Sequence, residues 1–177
     1  DKNMDKVISW IVLLIFSSLE TTSGAIGNAI YNLLHHPDQF NWLKSDSKRI
    51  PMGVEELIRY DTPLQFVSRT LAEDTILDGH ELYKDHLVSI CLGSANRDPN
   101  VFDKANVLML NRKYNPHISF GKGDHYCFGA KIARFELIHT IQAIISHLPN
   151  LRLHSDRTPT YKAVNVLKGF ESLWVMT

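Results

Sequence analysis

The N-terminal segment carries the longest apolar stretch of the chain. Between Lys6 and His35 the sequence has neither a proline nor a cluster of turn residues, and Val7–Phe16 is strongly apolar. Apolar side chains all round the first half predict a helix that is buried on every side. Residues Ser17–Gly24 are mostly weak helix formers with hydroxyl groups, which predicts a local distortion in the middle of this helix.

Prolines mark the limits of the helices that follow. Pro37 ends the first helix and opens a short one that extends to about Lys44. Pro51 suits the first turn of a third helix, which stops before Pro63. A clear amphipathic pattern predicts a last helix from about residue 128 to residue 148, ended by Pro149.

The remaining segments have the composition of strands and of one long loop. Between Gln65 and Cys91 the period becomes strand-like, and Asp78-Gly79 is a hairpin turn signal. Ser94–Pro116 has little periodicity, and so long a connection is usually functional. Two C-terminal segments also read as strands, Leu151–His154 and Val166–Val175. Together these elements predict a mainly α domain of the α+β class.

Composition and charge narrow the function. The chain has 177 residues with 19 basic and 19 acidic side chains, so it lacks the basic excess of a nucleic-acid-binding protein. Two cysteines are too few for a disulfide scaffold. The apolar run is about ten residues, short of the roughly 20 that cross a bilayer. A signal peptide is the alternative, but Asp1 and Asp5 dilute its basic flank, so we expect a buried helix, no membrane contact and a cytoplasmic protein.

The most informative segment runs from Phe120 to Gly129. Its three glycines permit backbone conformations that other residues resist, and they bring the chain to Cys127 just before a helix begins. The helix macrodipole and the free amide groups at that point favour a thiolate, which is a metal ligand and a nucleophile. The alternative is a cysteine that acts as a small buried hydrophobe.

This segment, F-G-x-G-x-H-x-C-x-G, resembles the haem-binding signature of the cytochrome P450 family. Its six fixed positions would match by chance with a probability on the order of 10⁻⁸ per window. The resemblance implies that Cys127 is the axial thiolate ligand of the iron of haem b. It also implies that Phe120 lies beside the haem, that Gly121 and Gly123 shape the ligand loop, and that His125 contacts a propionate.

Two further motifs agree with the resemblance. Glu56 and Arg59 match the family's E-x-x-R, which implies a buried pair with Arg112 as its third member; taken alone, they would be a solvated surface pair. Arg69 matches a strand arginine that pairs with a haem propionate, since a guanidinium suits a carboxylate. Its alternative is an exposed strand arginine.

The first helix resembles the family's central helix over the distal face of the haem. Glu20 and Thr21 match its acid–alcohol pair, which would relay protons towards bound oxygen. Ser17-Ser18 departs from the usual small pair ending in glycine. By position, seven residues would face the substrate: Leu13, Ser17, Leu64, Gln65, Phe66, Val166 and Leu167.

The resemblance implies a soluble, bacterial-type haem-thiolate monooxygenase. It would insert one atom of O₂ into an apolar substrate with electrons from a ferredoxin, a flavodoxin or a reductase, which Lys122, Lys131 and Arg134 would meet. Because family members are much longer, residues 1–177 would form a single partial domain, the C-terminal half. Two alternatives stay open: an inactive truncated product that at most binds haem or another chain, and a peroxygenase or isomerase.

Overall fold

The computed structural model describes residues 2–177 and is rich in helix. The helices are α1 (Lys2–His35), α2 (Pro37–Lys44), α3 (Ile50–Tyr60), α4 (Leu92–Ala95) and α5 (Ala130–His147), with 3₁₀ turns at Ser47–Arg49 and Gly123–His125. The prolines act as predicted, because α2 and α3 each carry one in their first turn. The mainly α, α+β class is confirmed.

The strands of the described residues form four small antiparallel pairs. The pairs are β1 (Phe66–Thr70) with β4 (Leu87–Cys91), β2 (Thr75–Leu77) with β3 (His80–Leu82), β5 (Arg152–Leu153) with β8 (Val175–Met176), and β6 (Thr160–Tyr161) with β7 (Phe170–Ser172). Asp78 and Gly79 join β2 to β3 with φ angles of 49° and 79°. Positive φ at both central residues is what a two-residue type I′ turn needs, so the predicted hairpin is confirmed.

The core lies between the C-terminal half of α1, α3 and α5. Ala25, Ala29 and Leu33 recur every four residues, so they form one buried stripe of α1. Val54 and Leu57 of α3, together with Leu137 and Ile141 of α5, belong to the same apolar cluster. Full burial of each such branched side chain stabilises the fold by roughly 1.5–3 kcal/mol.

The N-terminal half of α1 is exposed, which contradicts the predicted burial on every side. Every residue from Asn3 to Leu19 is exposed, and Trp10 and Phe16 each keep 64% of their surface in solvent. Burial on this helix begins only around Gly24, because no other described element lies against the preceding turns. An apolar pattern predicts that a helix packs against another element, but among the described residues no element packs against this half of α1.

The predicted distortion of α1 is also absent, since the helix is continuous from Lys2 to His35. The hydroxyl groups of Ser17 and Thr21 donate hydrogen bonds to helix carbonyls three or four residues earlier, at 3.3 and 2.6 Å. The hydroxyls therefore find partners without breaking the helix.

The length and composition of α1 would also allow it to cross a membrane. Over Asn3–His35 its most apolar window has a mean hydropathy of 1.5. The apolar part of this helix therefore extends beyond the ten residues of Val7–Phe16 on which the sequence-based expectation rests. The core helix of a soluble protein and an N-terminal signal sequence can have the same length and composition.

Glu56 fixes the long loop that follows α4. This carboxylate is fully buried and accepts hydrogen bonds from Arg59 at 2.7 and 2.8 Å, from Arg112 at 3.0 Å and from the amide of Met109 at 2.9 Å. The three residues predicted as a group therefore do meet. Two opposite charges close to one buried carboxylate offset the cost of removing it from water.

Arg59 extends this network to the backbone of the loop. Its Nη1 donates to the carbonyl oxygens of Asn96 and Ala105 at 2.7 and 2.8 Å, and its Nη2 donates to Val107 at 3.2 Å. The side chain of Asn96 accepts from the amide of Ile118 at 2.9 Å. A segment without regular structure can be buried only when its backbone groups find partners, and these side chains supply them.

Replacing Arg59 with leucine is expected to lower the free energy of unfolding by about 3–5 kcal/mol, because the change removes one of the two guanidinium groups that pair with the buried Glu56 and leaves three backbone carbonyls without their donor. Urea denaturation measures this loss. The matched control is Arg69→Leu on exposed β1, which is expected to change stability by less than about 0.5 kcal/mol. Equal losses in the two variants would contradict the role of Arg59.

Candidate functional site

Residues 120–129 form a tight backbone arch, called here the thiol arch. Gly121 and Gly123 have φ angles of 75° and 71°, a region that side chains with a Cβ rarely adopt. The amide of Cys127 donates to the carbonyl oxygen of Phe120 at 2.8 Å, which closes the arch. A Cβ at Gly121 would lie 3.3 Å from the carbonyl oxygen of His125. Glycine is therefore favoured there by both conformation and space.

The arch presents Cys127 at the start of α5. The thiol is free and exposed, and the helix begins three residues later at Ala130. The N-terminal end of α5 places positive partial charge near the sulfur. Phe128 beside it is 94% exposed and Tyr126 is 50% exposed, so the sulfur has an open aromatic rim. This arrangement offers one soft sulfur donor to a large apolar ligand.

The Cys127 thiol can bind a metal, and the arch places no group of further protein donors around it. Within residues 2–177, no group of three or more His, Cys, Asp or Glu side chains could hold a metal ion. An arrangement with one protein ligand suits a metal that is already held in an organic ring, rather than a bare ion that needs four or more protein donors.

A second charged cluster adjoins the arch, and sequence reasoning missed it. Glu55 receives two hydrogen bonds from Arg134, at 2.6 and 2.9 Å, and contacts Nε2 of His117 at 3.1 Å. Burial raises the pKa of Glu55, but the hydrogen bonds from His117 and Arg134 outweigh it and lower this pKa to about 2. The acidic pair Glu55-Glu56 marks two carboxylates on α3, but nothing in the neighbouring sequence indicates which cation each of them meets.

The pairing with Glu55 corrects the expectation for Arg134. Its guanidinium is half-buried and is matched by a carboxylate of the same chain, and the same partner raises its pKa. Arg134 is therefore not a free cation for an acidic partner. Lys122 and Lys131 are both exposed.

The two residues predicted to bind propionates lie at the surface. The side chain of His125 is exposed within the thiol arch. Arg69 is exposed on β1, and its Nη1 donates to the carbonyl oxygen of Ser68 at 2.8 Å. Both side chains keep donor groups that a carboxylate could use.

The predicted acid–alcohol pair lies on α1, one turn before its buried face. Glu20 is half-buried, and its Oε1 lies 3.5 Å from Nζ of Lys162. The hydroxyl of Thr21 donates to the carbonyl oxygen of Ser17 at 2.6 Å. The carboxylate therefore has a cation near it, and the alcohol is engaged within the helix.

The structure brings together only some of the residues predicted to face the substrate. Leu64 and Leu167 form a β-bridge, and the amide of Gln65 donates to the carbonyl oxygen of Val166 at 2.8 Å. A cleft of about 410 Å³ lies beside them and is lined by Gln65, Tyr161, Lys162, Val164, Asn165, Leu167, Lys168 and Gly169. The remaining three, Leu13, Ser17 and Phe66, are exposed and do not line this cleft.

An ion pair fixes one of the polar side chains that line this cleft, Lys168. Nζ of Lys168 lies 2.7 Å from Oδ1 of the buried Asp61. Burial raises the pKa of Tyr161 to about 12, and the neighbouring Tyr31 and Asp61 add to that rise. The phenol therefore stays neutral at physiological pH and keeps its proton as a hydrogen-bond donor.

The chain is similar to curated bacterial cytochromes P450. It is 37% identical over 169 residues to the Putative cytochrome P450 133B2 of Xylella fastidiosa strain Temecula1, an alignment that covers 96% of this chain and 42% of that protein. The chain therefore spans less than half the length of the curated relatives it matches.

Solved structures agree on the fold. CYP109E1 from Bacillus megaterium in complex with corticosterone is 31% identical, with a TM-score of 0.93 over 97% of this chain and 46% of that one. P450BioI in complex with hexadec-9Z-enoic acid ligated acyl carrier protein is 35% identical, with a TM-score of 0.89 over 93% of this chain and 42% of that one. Such agreement over nearly the whole chain shows the same arrangement of helices and sheets.

The lowered pKa of Glu55 predicts a specific acid dependence. A carboxylate with a folded-state pKa of about 2 against an ordinary 4.5 stabilises the fold fully above pH 4.5, and this stabilisation is lost as the pH falls towards 2. Between pH 5 and pH 2, Glu55→Gln is therefore expected to lose less stability than the unmodified chain, as denaturant titrations would measure. The exposed Glu136 supplies the control, and Glu136→Gln is expected to follow the unmodified chain. Identical acid profiles for all three would contradict the prediction.

A family model provides the last comparison. The model described as Cytochrome P450 matches residues 50–165, which is more than half of the chain. The match contains both the buried Glu56 cluster and the thiol arch. With the similarity to curated and solved relatives, it establishes that the chain belongs to the cytochrome P450 family.

Proposed function

We propose that this chain carries the haem-ligand side of a haem-thiolate monooxygenase, which inserts one atom of O₂ into an apolar organic substrate with electrons from a redox partner. The observation that carries the proposal is the exposed Cys127 thiol, held by the thiol arch at the start of α5. Family membership supports the enzyme class and the haem cofactor.

The residues present fit haem b. The Cys127 thiol is accessible, and the neighbouring Phe128 offers an almost fully exposed apolar ring. Gly121 and Gly123 have positive φ angles and no side chains, so they leave the space beside the arch free. Cys127 would ligate the iron and Phe120 would lie beside the ring. His125 and Arg69 would pair with the propionates. When bound, the haem supplies the redox-active iron that activates O₂.

The proposed role of Glu20 and Thr21 is to deliver protons towards the O₂ substrate. Glu20 is half-buried and in contact with solvent, so its carboxylate can take up a proton from water and pass it on. The Thr21 hydroxyl can accept that proton and donate its own, once it leaves the carbonyl of Ser17. Nζ of Lys162 lies 3.5 Å from the Glu20 carboxylate and would keep its orientation between transfers.

The proposed substrate is small and apolar, and the residues that would face it are Leu13, Ser17, Leu64, Gln65, Phe66, Val166 and Leu167. The steroid and the acyl chain named with the solved relatives are apolar molecules, which supports this class. A ferredoxin, flavodoxin or reductase would meet the exposed Lys122 and Lys131. We place the protein in the cytoplasm and treat residues 1–177 as one partial domain.

A second candidate is an inactive chain that at most binds haem or another chain. Its support is the exposed apolar half of α1, a surface that another chain could bind. Nothing specific supports a peroxygenase or an isomerase. Only the unusual Ser17-Ser18 pair would favour either, and both hydroxyls donate to carbonyls of their own helix, at 3.3 and 3.2 Å.

The purified chain is expected to take up haem and, once reduced, to give with CO the absorption spectrum typical of thiolate ligation. Cys127→Ser is expected to abolish that spectrum, because the hydroxyl oxygen replaces the only proposed sulfur ligand. Cys91→Ser supplies the matched control, since Cys91 is the chain's other free cysteine and lies on β4. It is expected to leave the spectrum unchanged.

The outcomes separate the two candidates. A thiolate spectrum that survives in Cys127→Ser would overturn the ligand assignment. Absence of haem uptake by the unmodified chain would favour the inactive candidate. A thiolate spectrum with substrate oxidation that depends on added ferredoxin and reductase would support the monooxygenase.

A further inference from the structure

One guanidinium contacts both ends of the thiol arch. Nη1 of Arg134 donates to the hydroxyl oxygen of Tyr126 at 3.1 Å, and its Cζ lies 4.4 Å from the centroid of the Phe120 ring. Phe120 opens the arch, and Tyr126 directly precedes Cys127. The same side chain therefore contacts the arch on both sides of its closing hydrogen bond, in which the Cys127 amide donates to Phe120.

Arg134 is itself held in place by Glu55. Its Nε and Nη2 donate to the two carboxylate oxygens, so the contact is bidentate and fixes the plane of the guanidinium. His117 completes the anchor. Its Nδ1 accepts from the amide of Ser119 at 3.3 Å, so its Nε2 carries the proton and donates to Glu55.

From this geometry we propose that Arg134 is the positioning residue of the thiol arch. Glu55 on α3 and His117 orient the guanidinium, which holds Phe120 and Tyr126 and so fixes the turn that presents the Cys127 sulfur. The inference deepens the proposed function and rests on it, because the arch matters as the haem-ligand loop. Arg134 acts on Cys127 through the arch. Within residues 2–177 its hydrogen bonds go to Glu55, Tyr126 and Ala130, and none goes to Cys127.

Arginine suits this position and lysine does not. The guanidinium uses Nε and Nη2 for the carboxylate, Nη1 for the phenol oxygen and its flat face for the ring of Phe120. A lysine ammonium is a single point of charge and could pair with Glu55 without also stacking on Phe120. Arg134→Lys therefore keeps the charge and removes the positioning contacts.

Hydrogen exchange of the backbone amides tests the proposal without haem. The amides of Tyr126 and Cys127 donate to Gly123 and Phe120 within the arch, and the amide of Gly121 donates to Ile118 just before it, so exchange at all three reports its opening. Arg134→Met is expected to speed exchange at these amides roughly ten- to hundredfold, the effect of losing a charge-assisted hydrogen bond. Arg134→Lys is expected to lie close to Arg134→Met.

Two further variants keep the test decisive. Tyr126→Phe removes only the phenol oxygen from a half-exposed ring, so the fold is retained even if Arg134→Met does not fold. It is expected to speed exchange at the same amides by a smaller factor. Lys131→Met, on the exposed face of α5, is the matched control and is expected to leave the arch unchanged.

The following results would overturn the proposal. One is unchanged exchange in the arch of both Tyr126→Phe and Arg134→Met. Another is acceleration that is uniform over α1, α3 and α5, since Arg134 would then stabilise the whole fold. A third is full rescue by Arg134→Lys, which would show that charge alone matters. These exchange measurements need no haem, so they stay valid even if Cys127 is not the haem ligand. Failure of the Arg134 proposal can therefore be distinguished from failure of the proposed function.

Discussion

The rest of the site depends on the ion pairs that the buried carboxylate of Glu56 forms with Arg59 and Arg112. These pairs place two guanidinium groups inside the protein, and Arg59 then satisfies backbone carbonyls of the long loop. Apolar contacts alone would not hold the buried part of this loop, because each buried backbone group without a partner costs free energy. The loop leads directly into the thiol arch, so its fixed path determines where Cys127 lies.

Glu55, the preceding residue on α3, serves the other side of the arch. Consecutive helical residues point about 100° apart, so adjacent carboxylates can serve different neighbours. Glu56 faces the loop, while Glu55 faces α5 and binds Arg134. One short helix therefore fixes the chain both before and after the cysteine. A single turn of α3 sets the frame in which the sulfur is presented.

Local chemistry explains what the sequence alone could predict. Pro37 and Pro51 mark helix limits and Asp78-Gly79 marks a hairpin, because these residues restrict the backbone wherever they occur. The arch could be recognised because its glycines and Cys127 are contiguous in sequence. The pair of Glu55 with Arg134 spans 79 residues, and no local pattern signals such a contact. The burial of α1 depends on surfaces that the described residues do not provide.

Iron X-ray absorption spectroscopy of the haem-loaded chain is the most direct test that Cys127 ligates haem iron on an arch fixed by α3. We expect one sulfur atom in the first coordination sphere of the iron. We also expect that this sulfur persists in Cys91→Ser and is absent in Cys127→Ser. A coordination sphere of nitrogen and oxygen alone in the unmodified chain would contradict the ligation by Cys127.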